Sequence, residues 1–259
     1  ACTSCHNDVD LTTGKNHKLG PMADGSCIGC HAPDGPEFGP SITGAHTYPG
    51  FSKQLPGIVF EILKITDGGP GKSPVVTFAV KNKQGEPLDA SKLANLRLVV
   101  AWPTTDYQIA IEEDARKAKP GGDGIYTYKF KYEIPGDATG SGAIGLQGFS
   151  LIDLKKPNGD VLKAQRDVGT NVVKYFAITD KEPVARRKAV KIENCNVCHL
   201  KLATHGEMRN NTEFCVMCHN AGQNDHEKRD SAKGPMPPQS VHYKRLIHRI
   251  HTGANLGEP

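Results

Sequence analysis

Four copies of one pattern, Cys-x-x-Cys-His, constrain this chain more than any other feature. They lie at Cys2, Cys5 and His6; at Cys27, Cys30 and His31; at Cys195, Cys198 and His199; and at Cys215, Cys218 and His219. Two thiols at this spacing take up the two vinyl groups of a haem as thioethers, and the His that follows binds the iron, which is the c-type attachment signature. All eight cysteines fall within the four copies, so no thiol is left over. A lone C-x-x-C could be a redox disulfide or half a zinc site. Paired C-x-x-C units also build zinc ribbons, whose internal spacing of roughly 15–20 residues is met by the last pair and approached by the first. Zinc, however, does not require a His after the second Cys every time. A disulfide framework fits less well still, because cysteines three apart do not usually bond to each other. The expectation is four covalently attached haem c groups.

A chain of 259 residues exceeds the usual single domain, so two or three units are expected. Hydrophobic residues are 37% and aromatics 6%, lean for a chain that must bury its own core, and haems would supply large apolar plates in compensation. Gly and Pro are numerous, 28 and 18, without a period, which reads as loop-rich structure. The formal charge of +4 carries no basic stripe, and haem propionates would offset it, so nucleic acid is excluded as a partner. No run approaches the roughly 18 apolar residues of a membrane span. The chain opens at Ala1 directly on a motif, as a processed chain or a fragment would. Haem attachment takes place outside the bacterial cytoplasmic membrane, so the expected address is the periplasm or the cell surface and outer membrane. Any membrane association would be peripheral, with no Cys left to accept lipid.

Along the chain the character changes twice. Residues 1–54 form a dihaem segment with turn signals at Gly14, Gly20-Pro21, Asp34-Gly35-Pro36 and Gly39-Pro40. Its other histidines, His17 and His46, are candidate sixth ligands. Residues 55–180 hold no Cys or His but several runs rich in Val, Ile, Phe and Tyr, from 57–65, 74–80, 93–102, 125–134, 143–154 and 161–178. Turn clusters separate them, and every second residue is aromatic from Tyr126 to Tyr132, as in a half-buried strand. This predicts an antiparallel β-barrel or sandwich. Thr104-Thr105-Asp106 is a polar turn, because a nucleophile there would have no His. Residues 181–259 form a second dihaem segment, entered by a charged linker with Arg186-Arg187-Lys188 that is expected to be solvated. Ser240 to Thr252 has helical periodicity, with Ser240 as N-cap and Gly253 as stop. His248 and His251 share one helical face and are expected to bind two neighbouring irons. His205 is a further candidate, while His226 and His242 are expected at the surface.

Seven histidines outside the motifs suffice to give each iron two axial imidazoles. Bis-His ligation closes the metal to substrate and suits electron transfer at low potential, so no enzyme activity is expected and none of Met22, Met208, Met217 and Met236 is needed. Ring orientation would depend on a second hydrogen bond from each imidazole.

The residues also resemble a known family, the outer-membrane decahaem c-type cytochromes of metal-reducing bacteria (the OmcA/MtrC type). The likeness lies in Cys2 to Asp10 with Asn16-His17, in Gly44-Ala45-His46, and in Pro103 to Tyr107. It continues through Cys195 to Arg209, Phe214 to Asn220, and Ile247-His248-Arg249-Ile250-His251-Thr252-Gly253. The resemblance implies alternating β-domains and pentahaem domains that carry electrons to minerals, flavins and redox partner proteins. By it, His17 and His46 are distal ligands near the end of a first haem domain, and His205, His248 and His251 open a second. The family has five motifs per haem domain where this chain has two, so the chain resembles the middle of such a protein. The β-domain disulfide of some members is absent here, since no Cys remains. Two alternatives stand beside electron transfer to extracellular metal oxides or flavins. One is a multihaem reductase of a small nitrogen or sulfur oxyanion, which needs a five-coordinate haem. The other is a subunit of a polymerised cytochrome wire, an oligomer or filament in which a His ligates a haem of the next chain.

Overall fold

The computed structural model describes residues 6–23, 26–226 and 237–253. Cys2, Cys5 and Met236 lie outside the described residues. The chain divides into two compact units, Ala1–Leu55 with Ile152–Gln165, and Pro56–Leu151 with Arg166–Pro259.

The first unit has little apolar sequence to bury and is built from hydrogen-bonded turns. Its helices are single turns, α1 (Cys27–Cys30) and α2 (Ile42–Ala45), the second capped by Ser41, whose hydroxyl accepts from Gly44 N. Asp10 accepts from Thr12 N, Thr13 N and Thr13 Oγ1. Glu37 accepts from Ser52 Oγ at 2.6 Å and Lys53 N at 2.7 Å.

The second unit is a β-sandwich. One sheet has the order β1 (Val59–Thr66), β2 (Val75–Lys81), β6 (Ile125–Lys129), β5 (Lys119–Gly122). The other has the order β4 (Ile109–Asp114), β3 (Asn95–Trp102), β7 (Ser141–Lys155), β8 (Val161–Val168), with β9 (Val172–Ala177) also pairing β7. The far parts of β7 and β8 group with the first unit. The inward side chains alternate, as a pleated strand requires: Phe60 and Ile62, Val76, Phe78 and Val80, Leu96, Leu98 and Val100, and Ile144 and Leu146 share one core. Glu113 of β4 ties the two sheets at one edge, accepting from Tyr128 Oη at 2.7 Å and from the backbone of Lys131 and Tyr132. The expectation of a mainly β, antiparallel fold with short helices is met.

Four departures have physical causes. Strand β4 lies in a stretch that reads as charged, because Glu112, Glu113 and Asp114 follow the short apolar run 109–111; β5 is Lys-Pro-Gly-Gly, whose composition signals a turn. The run 161–178 is two strands, broken at Gly169–Asn171. The linker is not wholly solvated: Arg186 is 9% exposed, lies over the Tyr107 ring and pairs with Asp106 at 3.0 Å.

Helices α3 (Ile192–His199), α4 (Thr212–Cys218) and α5 (Tyr243–His251) follow the sandwich. The last begins two residues later than Ser240 suggests, with His242 as N-cap, because Ser240 Oγ is used instead to accept from His242 N.

Candidate metal centres

Among the described residues three pairs of imidazole rings lie close together, two edge-on and one tilted. The ring centres are 6.1 Å apart for His6 and His46, 6.1 Å for His199 and His251, and 5.9 Å for His205 and His219. Two imidazoles sharing a metal at roughly 2.0–2.1 Å per nitrogen have ring centres roughly 6 Å apart. Each pair joins a motif histidine to one expected as a distal ligand.

The ring orientations are fixed from the backbone. The Nδ1 atoms of His46 and His251 each lie on the carbonyl four residues earlier, Ile42 O at 2.7 Å and Ile247 O at 2.8 Å. Those of His31, His219 and His17 meet Pro40 O, Val241 O and Gly20 O at 2.8 to 2.9 Å. A carbonyl only accepts, so Nδ1 carries the proton and Nε2 keeps its lone pair for a metal.

The site at His205 and His219 is mounted on the sandwich from two directions. The outer face of β3 and β7 presents Val99, Ala101 and Ala143, and Phe214 and Met217 of α4, both fully buried, pack on it with Tyr107. These two side chains are three apart on one face of the helix, which leaves Cys215 and Cys218 on the adjoining face. Contact is this close because Gly145 lacks a side chain; a Cβ there would sit 2.6 Å from the Phe214 ring and 2.9 Å from Met217 Sδ. Asn211 caps α4, accepting from Glu213 N at 3.0 Å. Burial pushes the Cys215 thiol up to about 11, so an unmodified side chain is a neutral thiol at physiological pH.

His205 sits on the loop from Thr204 to Arg209, closed by reciprocal backbone bonds between those two residues. His205, Gly206 and Glu207 all have left-handed backbone, with φ of 51°, 66° and 72°. Two of the three carry a Cβ in that region, which persists only where surroundings over-determine it. The surroundings are present. Arg166 donates to Gly206 O, and Asn171 donates to Met208 O at 2.8 Å. Asn171 and Asn210 bond reciprocally, side chain to backbone, at 2.8 and 2.9 Å. Arg209 donates to Glu112 Oε2 at 3.0 Å and to Gln147 Oε1 at 3.2 Å.

The expected residues are therefore only partly brought together. His6 with His46, His199 with His251, and His219 with His205 lie close together, whereas among the described residues no neighbouring ring is recorded for His31, His17 or His248. Cys30, Cys195, Cys198, Cys215 and Cys218 are free thiols. Among the described residues no cluster of three or more His, Cys, Asp or Glu side chains is arranged to hold a bare metal ion. The surroundings fit a large apolar plate instead: Ile28, Val197 and Leu200, within or beside the motifs, are 71%, 82% and 79% exposed. As expected, His226 is exposed; His242 is half-buried. Glu112, Gln147, Arg166 and Asn171 carried no signal in the sequence, since their roles depend on strand register.

Residues 187–258 match the family described as outer membrane cytochrome MtrC/MtrF-like, domains II/IV. The fold of the chain is similar to part of each of two solved structures. The structure of MtrC from Shewanella baltica OS185 superposes with a TM-score of 0.64 at 17% identity, over 99% of this chain and 47% of that one. The outer membrane decahaem cytochrome OmcA gives 0.53 at 18% identity, over 76% of this chain and 33% of that one. The chain thus spans less than half the length of these relatives. No curated protein matches it significantly in sequence. Among the described residues no helix is long and apolar enough to cross a membrane.

Proposed function

We propose that this chain is a multihaem c-type cytochrome segment that passes electrons through bis-His haems at the outer surface of a bacterium. The observation that carries the reading is the three imidazole pairs, each a motif histidine with a second ring at about 6 Å. Cys2 and Cys5, Cys27 and Cys30, Cys195 and Cys198, and Cys215 and Cys218 would hold four haems. His6, His31, His199 and His219 would be the proximal ligands, and His46, His251 and His205 the distal ligands of the first, third and fourth. When bound, each haem supplies a one-electron iron couple. The chain contributes the rest: backbone carbonyls that hold the rings, and two axial nitrogens that keep substrate off the metal. Residues 1–54, 55–180 and 181–259 remain the working division into dihaem, β and dihaem parts.

His17 is assigned to the haem of His31, its Nδ1 engaged by Gly20 O and its Nε2 left for iron. If that assignment fails, the haem at His31 is five-coordinate, and the reductase reading gains its open site. The physiological acceptors, extracellular metal oxides or flavins, and the redox partner proteins follow from the likeness to MtrC and OmcA. So does the cell-surface location. Electron paramagnetic resonance of the ferric holoprotein tests the reading: wild type should be wholly low-spin, and His205→Ala and His251→Ala should each convert one haem to high spin. Unchanged spectra in both variants would overturn the ligand assignment.

A further inference from the structure

The sandwich reaches the site of His205 and His219 with charge as well as with packing. Glu112 on β4 and Gln147 on β7 flank Val99 and Gly145 on the outer face that α4 covers: Val99 pairs Glu112 in one register and Gly145 in the other. Gln147 is 1% exposed, donates to Glu112 Oε2 at 2.9 Å and accepts from Arg209 Nε. Arg209 closes the ion pair with Glu112 at 3.0 Å, and its side chain is 18% exposed. Arg209 also ends the loop that carries His205.

We propose that the Glu112–Gln147–Arg209 network is a positioning and charge-balancing device through which the β-sandwich sets the reduction potential of the haem held at Cys215, Cys218, His219 and His205. This rests on the haem reading above. Loss of one electron adds a unit of positive charge to the centre, so a nearby carboxylate favours the oxidised form and a nearby guanidinium the reduced form. A unit charge about 10 Å from a redox centre, at an effective dielectric of about 20, changes a one-electron equilibrium roughly tenfold. Paired, the two charges nearly cancel. Removing either alone uncovers the other, and Gln147 keeps the pair in place by bonding to both.

The test is spectroelectrochemical titration of the holoprotein with Glu112→Gln, Arg209→Gln and the double variant, with peptide mapping of covalent haem and thermal melts alongside. Glu112→Gln, which keeps the shape and the hydrogen-bond acceptor, should lower the oxidised-to-reduced ratio of one haem about tenfold at a fixed ambient potential, a rise of about 59 mV in its one-electron potential. Arg209→Gln should lower the potential of the same haem by a similar amount, and the double variant should return near wild type. Potentials that stay within twofold in both single variants, with all haems attached and low-spin, would overturn the charge-balancing role and leave the haem reading intact. Shifts of the same sign in both, accompanied by lower melting temperatures, would also overturn it, since damage to the loop would then be the cause. A wild-type peptide carrying Cys215 and Cys218 without haem would overturn the haem reading itself, and this inference with it.

Discussion

At the scale of single residues, the second unit contains an acid whose burial can be read out by pH. Asp167 is 4% exposed and accepts from Gly57 N at 2.8 Å, and burial is the largest influence on it, raising its pKa above the ordinary 3.8. A carboxyl that ionises less readily when folded favours the folded state while protonated. Stability should therefore fall as pH rises from about 3.8 through the raised value, then level off. Asp167→Asn, which retains an acceptor for Gly57 N, should remove that step, so the variant gains on wild type across the window; urea melts between pH 4 and 7 would show it. His248 gives a second single-residue prediction. It shares a helix with His251 but faces no recorded ring among the described residues. His248→Ala should leave the low-spin spectrum of this chain unchanged where His251→Ala does not.

At the scale of elements, the contact between α4 and the outer face of β3 and β7 is the most sensitive point. Phe214→Ala should cost about 3–5 kcal/mol by leaving a cavity on that face. Gly145→Val should cost about 1–3 kcal/mol by overpacking, and should also disturb the ligand field of the haem at His219. Denaturant melts measure the first effect and low-spin g-values the second. Little of this was legible in the sequence. The motifs name the cysteines and proximal histidines because the chemistry is written in adjacent residues. The sandwich is visible because alternation survives in Tyr126 to Tyr132 and in the apolar runs. By contrast, Leu98 to Trp102 is continuously apolar, which says that both faces are covered but not by what. The three imidazole pairs were readable as a pool of histidines and not as pairs, since His46 lies 40 residues from His6 and His251 lies 52 from His199. The mounting network of Arg166, Asn171 and Asn210 depends on β8, the break before β9 and the loop before α4 meeting, which no local pattern records.

At the scale of the molecule, the first measurement is the denatured intact mass of the native protein, in which covalent haems persist. Four haems on these 259 residues would define a free-standing carrier. A larger mass with more haems would define a piece of a longer conduit, in keeping with its likeness to less than half of MtrC. A β-domain cut after residue 180 should be poorly soluble and bind a hydrophobic dye, because Val99, Ala101, Tyr107 and Ala143 would lose the cover of Phe214 and Met217. The same feature bears on how such proteins can be shuffled in evolution or by design. Composition changes at the linker, and a splice placed there looks natural. Yet the sheet and the fourth motif are two halves of one interface, so a graft that takes either half without the other would inherit an unfinished surface. The exchangeable block runs from β1 through α4.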